Sequence, residues 1–246
     1  MVNLLIRGCP GTGKTLLARA AAYYMCSENK QPDEIWNQDI VSDLSQIESF
    51  ISSSEKVEYI QVHPSMDYDD IVYGLKISAA GSLTISYAEK RIMTLCNKAK
   101  ANEGQFAIIL DDINRANAGA LLGNLLYAME YRNQTVDLPN GNCISIPDNV
   151  IIIITENTLD VSNELDFAVR RRMTYLKELT SDRDAVRRYY QSCIHSSGLH
   201  LILDTYDRVR DFIQSYFVSG TNVSYLDYIP GHGMYMVNRI GNDYSI

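Results

Sequence analysis

The stretch GCPGTGKT, Gly8 to Thr15, decides the fold, because it fits the pattern G-x-x-x-x-G-K-[ST] in full. It follows the apolar run Val2–Ile6 and precedes a stretch in which Leu16, Leu17, Ala20, Ala21 and Tyr24 recur at helical spacing. Between a strand and a helix, such a loop turns backbone N–H groups onto phosphate oxygens, and the helix N-terminus adds the positive end of its dipole. Gly8, Cys9, Pro10, Gly11, Thr12 and Gly13 would form the cradle. Lys14 would reach the β- and γ-phosphates, and the Thr15 hydroxyl would ligate Mg²⁺. By itself the loop does not separate a motor from a small-molecule kinase or a switch GTPase.

Outward from the loop, aliphatic runs alternate with amphipathic stretches. The runs are Val2–Ile6, Val57–Val62, Ala107–Leu110, Val150–Ile154 and Thr174–Leu176. That alternation is the pattern of a parallel sheet covered by helices on both faces. Leu121, Leu122, Leu125, Leu126 and Met129 mark a second helical stripe. The predicted class is therefore α/β, a P-loop NTPase three-layer αβα sandwich around a parallel five-stranded core sheet. A β-hairpin insertion is read from Thr135–Leu138 and Cys143–Ile146, which flank Pro139-Asn140-Gly141-Asn142 with Asn-Gly at the turn. After Leu179 the strand signals stop. Ser181-Asp182-Arg183-Asp184 reads as a capping box, and Ile202, Tyr206, Val209, Ile213 and Tyr216 mark a further helix. The expected organisation is a nucleotide-binding core over residues 1–178 and a small helical subdomain over 179–246.

Composition narrows the class. The chain has 246 residues, is 46% hydrophobic and 21% charged, and carries a formal net charge of −8. That charge argues against direct nucleic-acid binding, since phosphate contacts need a basic surface, and the only dense basic run is Arg170-Arg171-Arg172. Cys9, Cys26, Cys96, Cys143 and Cys193 show no metal-ligand spacing and read as reduced thiols. Val2–Ile6 leads straight into the loop without a leader, and Val150–Ile154 is too short to span a bilayer. A cytoplasmic protein with no membrane association is expected.

The segment FAIILDDINRAN, Phe106 to Asn117, carries the second part of the site. A buried strand that ends in an acid is where P-loop proteins hold the water shell of Mg²⁺, and Asp111 fits that role. Asp112 is the candidate to orient and polarise an attacking water.

From Ile109 to Arg132 the chain resembles the corresponding region of McrB-type subunits of modification-dependent restriction systems. These are AAA+ ATPases near the MoxR and dynein-related branch. The resemblance continues in order through QVHPSMDYDDIVYGLK (Gln61 to Lys76), the Asn-Gly hairpin, IIIITENTLD (Ile151 to Asp160), LDFAVRRRM (Leu165 to Met173) and PGHGMY (Pro230 to Tyr235). It implies that Asn157 is a sensor for the γ-phosphate or the lytic water, supported by Asp160. It also implies that Arg170 or Arg171 is an arginine finger for a neighbouring subunit, and that His232 lies in the lid motif. The implied substrate is ATP or GTP with Mg²⁺; McrB-type subunits prefer GTP, and Asn97-Lys98-Ala99-Lys100 does not supply the base-reading N-K-x-D of switch GTPases. The implied assembly is a hexameric ring with a McrC-like nuclease subunit, and DNA is reached through that partner or through a domain outside this chain.

Some residues depart from the family pattern. Asp112 stands where relatives carry Glu, shortening the side chain by about 1.5 Å. Asp160 is followed by Val161 rather than Arg, and Glu156 replaces an apolar residue before Asn157. The first strand starts at Val2 and the chain stops at Ile246, which implies no N-terminal DNA-reading domain and a short lid. The reading is a slow triphosphatase. Its alternative is a nucleotide-binding scaffold that does not turn over, and a small-molecule kinase ranks third because it does not predict Asn157, the hairpin or the arginine helix.

Overall fold

The computed structural model describes residues 2–36, 38, 40, 42–78, 84–138, 141–160, 165–192, 199–216, 225–236, 239–240 and 243–244. Val161, Cys193, Pro139 and Asn140 lie outside them. From the N-terminus the chain runs β1 (Asn3–Gly8), α1 (Lys14–Ser27), α2 (Pro32–Ile35), α3 (Leu44–Ser53) and β2 (Val57–Gln61). It continues through α4 (Tyr68–Ile71), β3 (Tyr73–Ser78), β4 (Thr84–Glu89), α5 (Arg91–Ala101) and β5 (Phe106–Asp111). Then come α6 (Ala118–Leu122), α7 (Leu125–Glu130), β6 (Val136–Asp137), β7 (Cys143–Ile144), β8 (Val150–Asn157), α8 (Phe167–Arg170) and β9 (Tyr175–Leu179). The last described elements are α9 (Arg183–Ser192), α10 (Leu199–Tyr216), β10 (Arg239–Ile240) and β11 (Asp243–Tyr244).

The five predicted strands all form, and they join one sheet of order β2-β5-β8-β1-β9. Both neighbours of β5 run parallel to it, with Ile60 opposite Leu110 and Ile108 opposite Ile152. Every residue of β5 is buried. A central parallel strand is covered on both faces, so it shows a continuous apolar run rather than alternation. Each fully buried Ile contributes about 1.5–3 kcal/mol. The α/β class and the five-stranded parallel sheet stand as read.

The chain divides into two compact units, one of Met1–Ile6, Thr15–Glu156 and Asp160–Lys177, the other of Arg7–Lys14, Asn157–Leu159 and Glu178–Ile246. In the first unit the predicted stripe Leu121–Met129 is not one helix. It breaks into α6 and α7 at Gly123, whose φ is +44°. A Cβ there would come within 3.0 Å of the Tyr68 ring. The hairpin forms, with Val136 opposite Ile144 and Asp137 opposite Cys143, and its strands are shorter than predicted. Gly141 takes φ +83°, the conformation for which its turn needs glycine.

A second hairpin, β3 with β4, was not predicted. Its register sets Leu75 against Tyr87, and the Tyr73 and Tyr87 rings stack at 5.6 Å. The usable signal was the alternation of Ile85 and Tyr87 with Thr84 and Ser86, which is the period of a strand.

In the second unit, Val186, Tyr190, Leu203, Tyr206 and Ile229 form a small core. Arg183 binds Asp207 through three hydrogen bonds of 2.7–3.0 Å, joining α9 to α10. The capping residue of α9 is Asp182, not Ser181: the Asp182 carboxylate accepts from Asp184 N–H at 2.8 Å, while the Ser181 hydroxyl donates to Pro230 O. Strand pairing also does not end at Leu179, since β10 and β11 form a two-residue antiparallel ladder. No helix among the described residues is long and apolar enough to cross a membrane. Cys9, Cys26, Cys96 and Cys143 carry reduced thiols.

Candidate functional site

The loop belongs to the second unit up to Lys14. It leaves β1 at Gly8, and Gly11 and Gly13 take φ values of +80° and +85°. These left-handed residues let consecutive peptide groups turn without a Cβ clash. The Lys14 ammonium donates to Gly8 O at 2.9 Å and Cys9 O at 2.8 Å, and Thr12 Oγ1 donates to Cys9 O at 2.7 Å. Lys14 is buried, so a cation with several kcal/mol of desolvation to offset is satisfied by carbonyls in this state.

Two other segments of the same unit rest on this loop. Thr158 N–H donates to Gly8 O at 3.1 Å, and the neighbouring Asn157 Oδ1 accepts from Leu159 N–H at 3.2 Å. Farther along, Gly231 N–H donates to Pro10 O and Gly233 N–H to Gly11 O, both at 2.8 Å. A Cβ on Gly231 would lie 2.1 Å from the Gly11 carbonyl carbon. The Pro230–Tyr235 segment thus meets the loop through glycine backbone rather than through His232. His232 Nδ1 instead accepts from Asp182 N–H at 3.4 Å, and partial burial lowers its pKa. Sequence reasoning weighed the histidine and passed over Gly231 and Gly233, although the Gly-x-Gly spacing was the usable signal.

A separate cluster lies wholly in the first unit. Thr15 Oγ1 sits 3.0 and 2.9 Å from the two carboxylate oxygens of Asp111, which is 2% exposed. Tyr59 donates its hydroxyl to Asp111 Oδ2 at 2.7 Å, and Thr155 Oγ1 donates to Oδ1 at 2.7 Å. Thr155 Oγ1 also accepts from Asp112 N–H at 2.8 Å, so one hydroxyl links the adjacent aspartates. Neither Tyr59 nor Thr155 was singled out from sequence, because the pairing that brings them to Asp111 is a property of the sheet. Burial, and then the Asp111 hydrogen bond and charge, raise the pKa of Tyr59, so it acts as a donor.

Asp112 adopts φ +57° and ψ +50° at the start of a 3₁₀ turn, Ile113–Arg115. This left-handed geometry is sparse for any residue but glycine, though Asp and Asn tolerate it. Its carboxylate is paired with Arg115 at 2.9 Å. Asp160 contributes its backbone carbonyl, which accepts from Asn114 Nδ2 at 3.5 Å.

The arginine run is held within the chain. Arg170 Nη2 lies 3.4 Å from Glu156 Oε1, whereas Arg171 and Arg172 reach Glu130 at 3.2 and 3.0 Å. Glu156 is buried and also accepts from Leu165 N–H at 3.3 Å.

The structure therefore brings Thr15 together with Asp111, and Asp112 to Asp111 through Thr155. Asn157 belongs to the segment that bonds the loop's base. Among the described residues no group of three or more His, Cys, Asp or Glu side chains gathers into a metal cage. The donor set on offer is one carboxylate and one hydroxyl. Both are hard oxygen ligands of the kind that leaves a magnesium ion its waters and phosphates, so the residues fit that ion.

The sequence profile of the AAA domain, dynein-related subfamily, matches residues 41–173, a stretch that holds β2, both aspartates, β8 and α8 and begins after the loop. The type IV methyl-directed restriction enzyme EcoKMcrB subunit of Escherichia coli strain K12 is 28% identical over 184 residues, which is 71% of this chain and 34% of that relative. This chain spans about a third of that relative's length. The crystal structure of a candidate ATPase from Cytophaga hutchinsonii aligns with a TM-score of 0.44 and 15% identity, over 87% of this chain and 58% of that one.

Proposed function

The chain belongs to the dynein-related subfamily of AAA domains, and from that premise we propose that it is a Mg²⁺-dependent nucleoside triphosphatase acting as an oligomer. The observation that carries the reading is the Thr15 hydroxyl set between the two oxygens of buried Asp111. A hydroxyl at the end of a phosphate loop and a carboxylate at the end of a strand are what the protein contributes to a magnesium–triphosphate complex. Thr15 and Asp111 would hold the ion, which would supply positive charge against the negative charge that develops during phosphoryl transfer.

The remaining roles fall to this chain's own residues. Lys14, with Gly8 to Gly13, holds the phosphates. Asp112 orients the attacking water, Asn157 bonds the γ-phosphate or that water, and Asp160 supports it. Arg171 is the finger offered to a neighbouring subunit, since Arg170 is tied to a buried carboxylate of its own chain. Residues 1–178 are the catalytic core and 179–246 the lid. The likeness to a restriction subunit supports a hexameric ring, a McrC-like nuclease partner, and DNA translocation or remodelling driven through that partner. It also supports a cytoplasmic location. The base is adenine or guanine.

The second reading is a nucleotide-binding scaffold with little hydrolysis. It is favoured by the Asp112–Arg115 pair at 2.9 Å, which neutralises a carboxylate already one methylene shorter than glutamate.

Binding of fluorescent ATP and GTP analogues, with and without Mg²⁺, tests the proposal alongside phosphate release and light scattering. Tight Mg²⁺-dependent binding of one analogue, lost in Lys14→Ala, is the expected result, with oligomers forming as it binds. Wild type that binds neither analogue overturns it. Binding without phosphate release, under conditions in which the oligomer forms, selects the scaffold.

A further inference from the structure

Asp111 is held from both sides of its strand. In the sheet, β5 lies between β2 and β8, and each neighbour sends one hydroxyl to a different carboxylate oxygen: Tyr59 from β2 to Oδ2 and Thr155 from β8 to Oδ1, both at 2.7 Å. Such short O–H···O contacts to a carboxylate are the charge-assisted kind. Thr15 Oγ1 lies between, nearly equidistant from both oxygens. The two flanking hydroxyls therefore determine the plane of the carboxylate, and the face left for a metal's waters is the one toward Thr15.

The reach of Tyr59 follows from register. Gln61 is the residue paired with Asp111, and Tyr59 is two residues earlier on the same face, opposite Ile109. A diagonal neighbour in a sheet is about 7–8 Å away, within range of an aromatic side chain and beyond that of a serine or threonine. The ring is fixed in turn by Arg19 of α1, whose guanidinium carbon stands 4.6 Å above its centroid. A phenylalanine at this position would keep the ring under Arg19 and lose the hydroxyl that donates to Asp111.

Building on the triphosphatase reading, we infer that Tyr59 is a positioning residue for the metal, holding the Asp111 carboxylate in the orientation that binds the Mg²⁺ of the Mg²⁺–nucleotide complex. The torsion that turns a carboxylate about its last bond is soft. Removal of the Oδ2 donor frees Asp111 to rotate toward Thr15. Partners one shell out from a metal typically contribute about 10–100-fold to its affinity.

The test is Tyr59→Phe in the full chain, read by titrating Mg²⁺ into protein and a fluorescent triphosphate analogue. The apparent Mg²⁺ dissociation constant is expected to rise about tenfold, while nucleotide affinity in EDTA stays at its wild-type value and circular dichroism shows the same fold. Mn²⁺, which binds the same donor set more tightly, restores metal-dependent binding at lower concentration than Mg²⁺. A Mg²⁺ constant unchanged from wild type, with nucleotide binding intact, overturns the role of Tyr59 and leaves the triphosphatase reading standing. Wild type that binds no nucleotide removes both. A variant that loses nucleotide affinity in EDTA as well shows a packing role and also overturns the inference.

Discussion

Arg170 Nη2 lies 3.4 Å from Oε1 of Glu156, a side chain 4% exposed, so this arginine is anchored to its own chain. Glu156→Ala removes the partner of a guanidinium and an acceptor for Leu165 N–H. The fold is expected to lose about 1–3 kcal/mol, toward the lower end because Arg170 is 31% exposed and screened by water. Urea unfolding of Glu156→Ala, Arg170→Met and the double variant checks it. The double variant should lose less than the sum; strict additivity would mean that the two side chains do not interact.

Arg171 is 48% exposed and held by the partly exposed Glu130, a contact that a second subunit would exchange in the proposed oligomer. Arg171→Ala should lower hydrolysis by about 10³-fold with nucleotide affinity retained. Mixing it with Lys14→Ala should recover part of the activity, because each subunit supplies what the other lacks. If Arg170→Ala abolishes turnover and Arg171→Ala does not, the assignment is reversed.

Under the proposed function, Asp112 is the residue that separates hydrolysis from binding alone. Asp112→Asn should reduce turnover by about 10²-fold or more, as expected for loss of a general base. Asp112→Glu restores the missing reach and should raise turnover by about tenfold, given that a 1 Å displacement costs about 10²-fold in a demanding geometry. Phosphate release per oligomer is the measurement. Identical rates in all three proteins would assign Asp112 to the 3₁₀ turn alone.

Two glycines of the second unit should fail for different reasons. Gly231→Ala places a Cβ 2.1 Å from the Gly11 carbonyl carbon, so backbone must move, with an expected loss of about 1–3 kcal/mol and weaker nucleotide binding. Gly13→Ala meets nothing within 4 Å, and its loss of about 1–2 kcal/mol comes from φ +85° alone. Thermal unfolding compares them.

His232 gives a pH signature. Burial lowers its folded pKa below the usual value near 6.5, with Asp182 opposing the shift and Arg188 adding to it. The unfolded chain then binds more protons between the folded pKa and about 6.5, so this contribution is complete above that window and lost as pH falls through it. Stability measured by denaturant titration should drop on acidification from about pH 7. His232→Gln should flatten that part of the profile.

The residues whose chemistry is local are legible in the sequence alone. GCPGTGKT needs only its own glycines, and ILD at the end of a buried strand needs only its apolar run, so the α/β class, the five strands and the Thr15–Asp111 pair follow from it. The break at Gly123 is not legible there, because Leu121, Leu125 and Met129 keep helical spacing across it while Tyr68, distant in sequence, occupies the space beside it. The β3–β4 hairpin carried a period-two signal only over the short run Thr84 to Tyr87, and its pairing with Tyr73–Ser78 is set by the register.

What only tertiary structure decided was which partners gather around each charge. Strand order brings Tyr59 and Thr155 to Asp111 from segments 52 and 44 residues away. The fold of α8 onto β8 gives Arg170 to Glu156, and the chain's return to Gly11 requires glycine at position 231. Periodicity and motif spacing report the interactions a residue makes along its own element. A buried carboxylate is satisfied by whatever donors the sheet delivers, and that delivery depends on strand order and register across the whole chain.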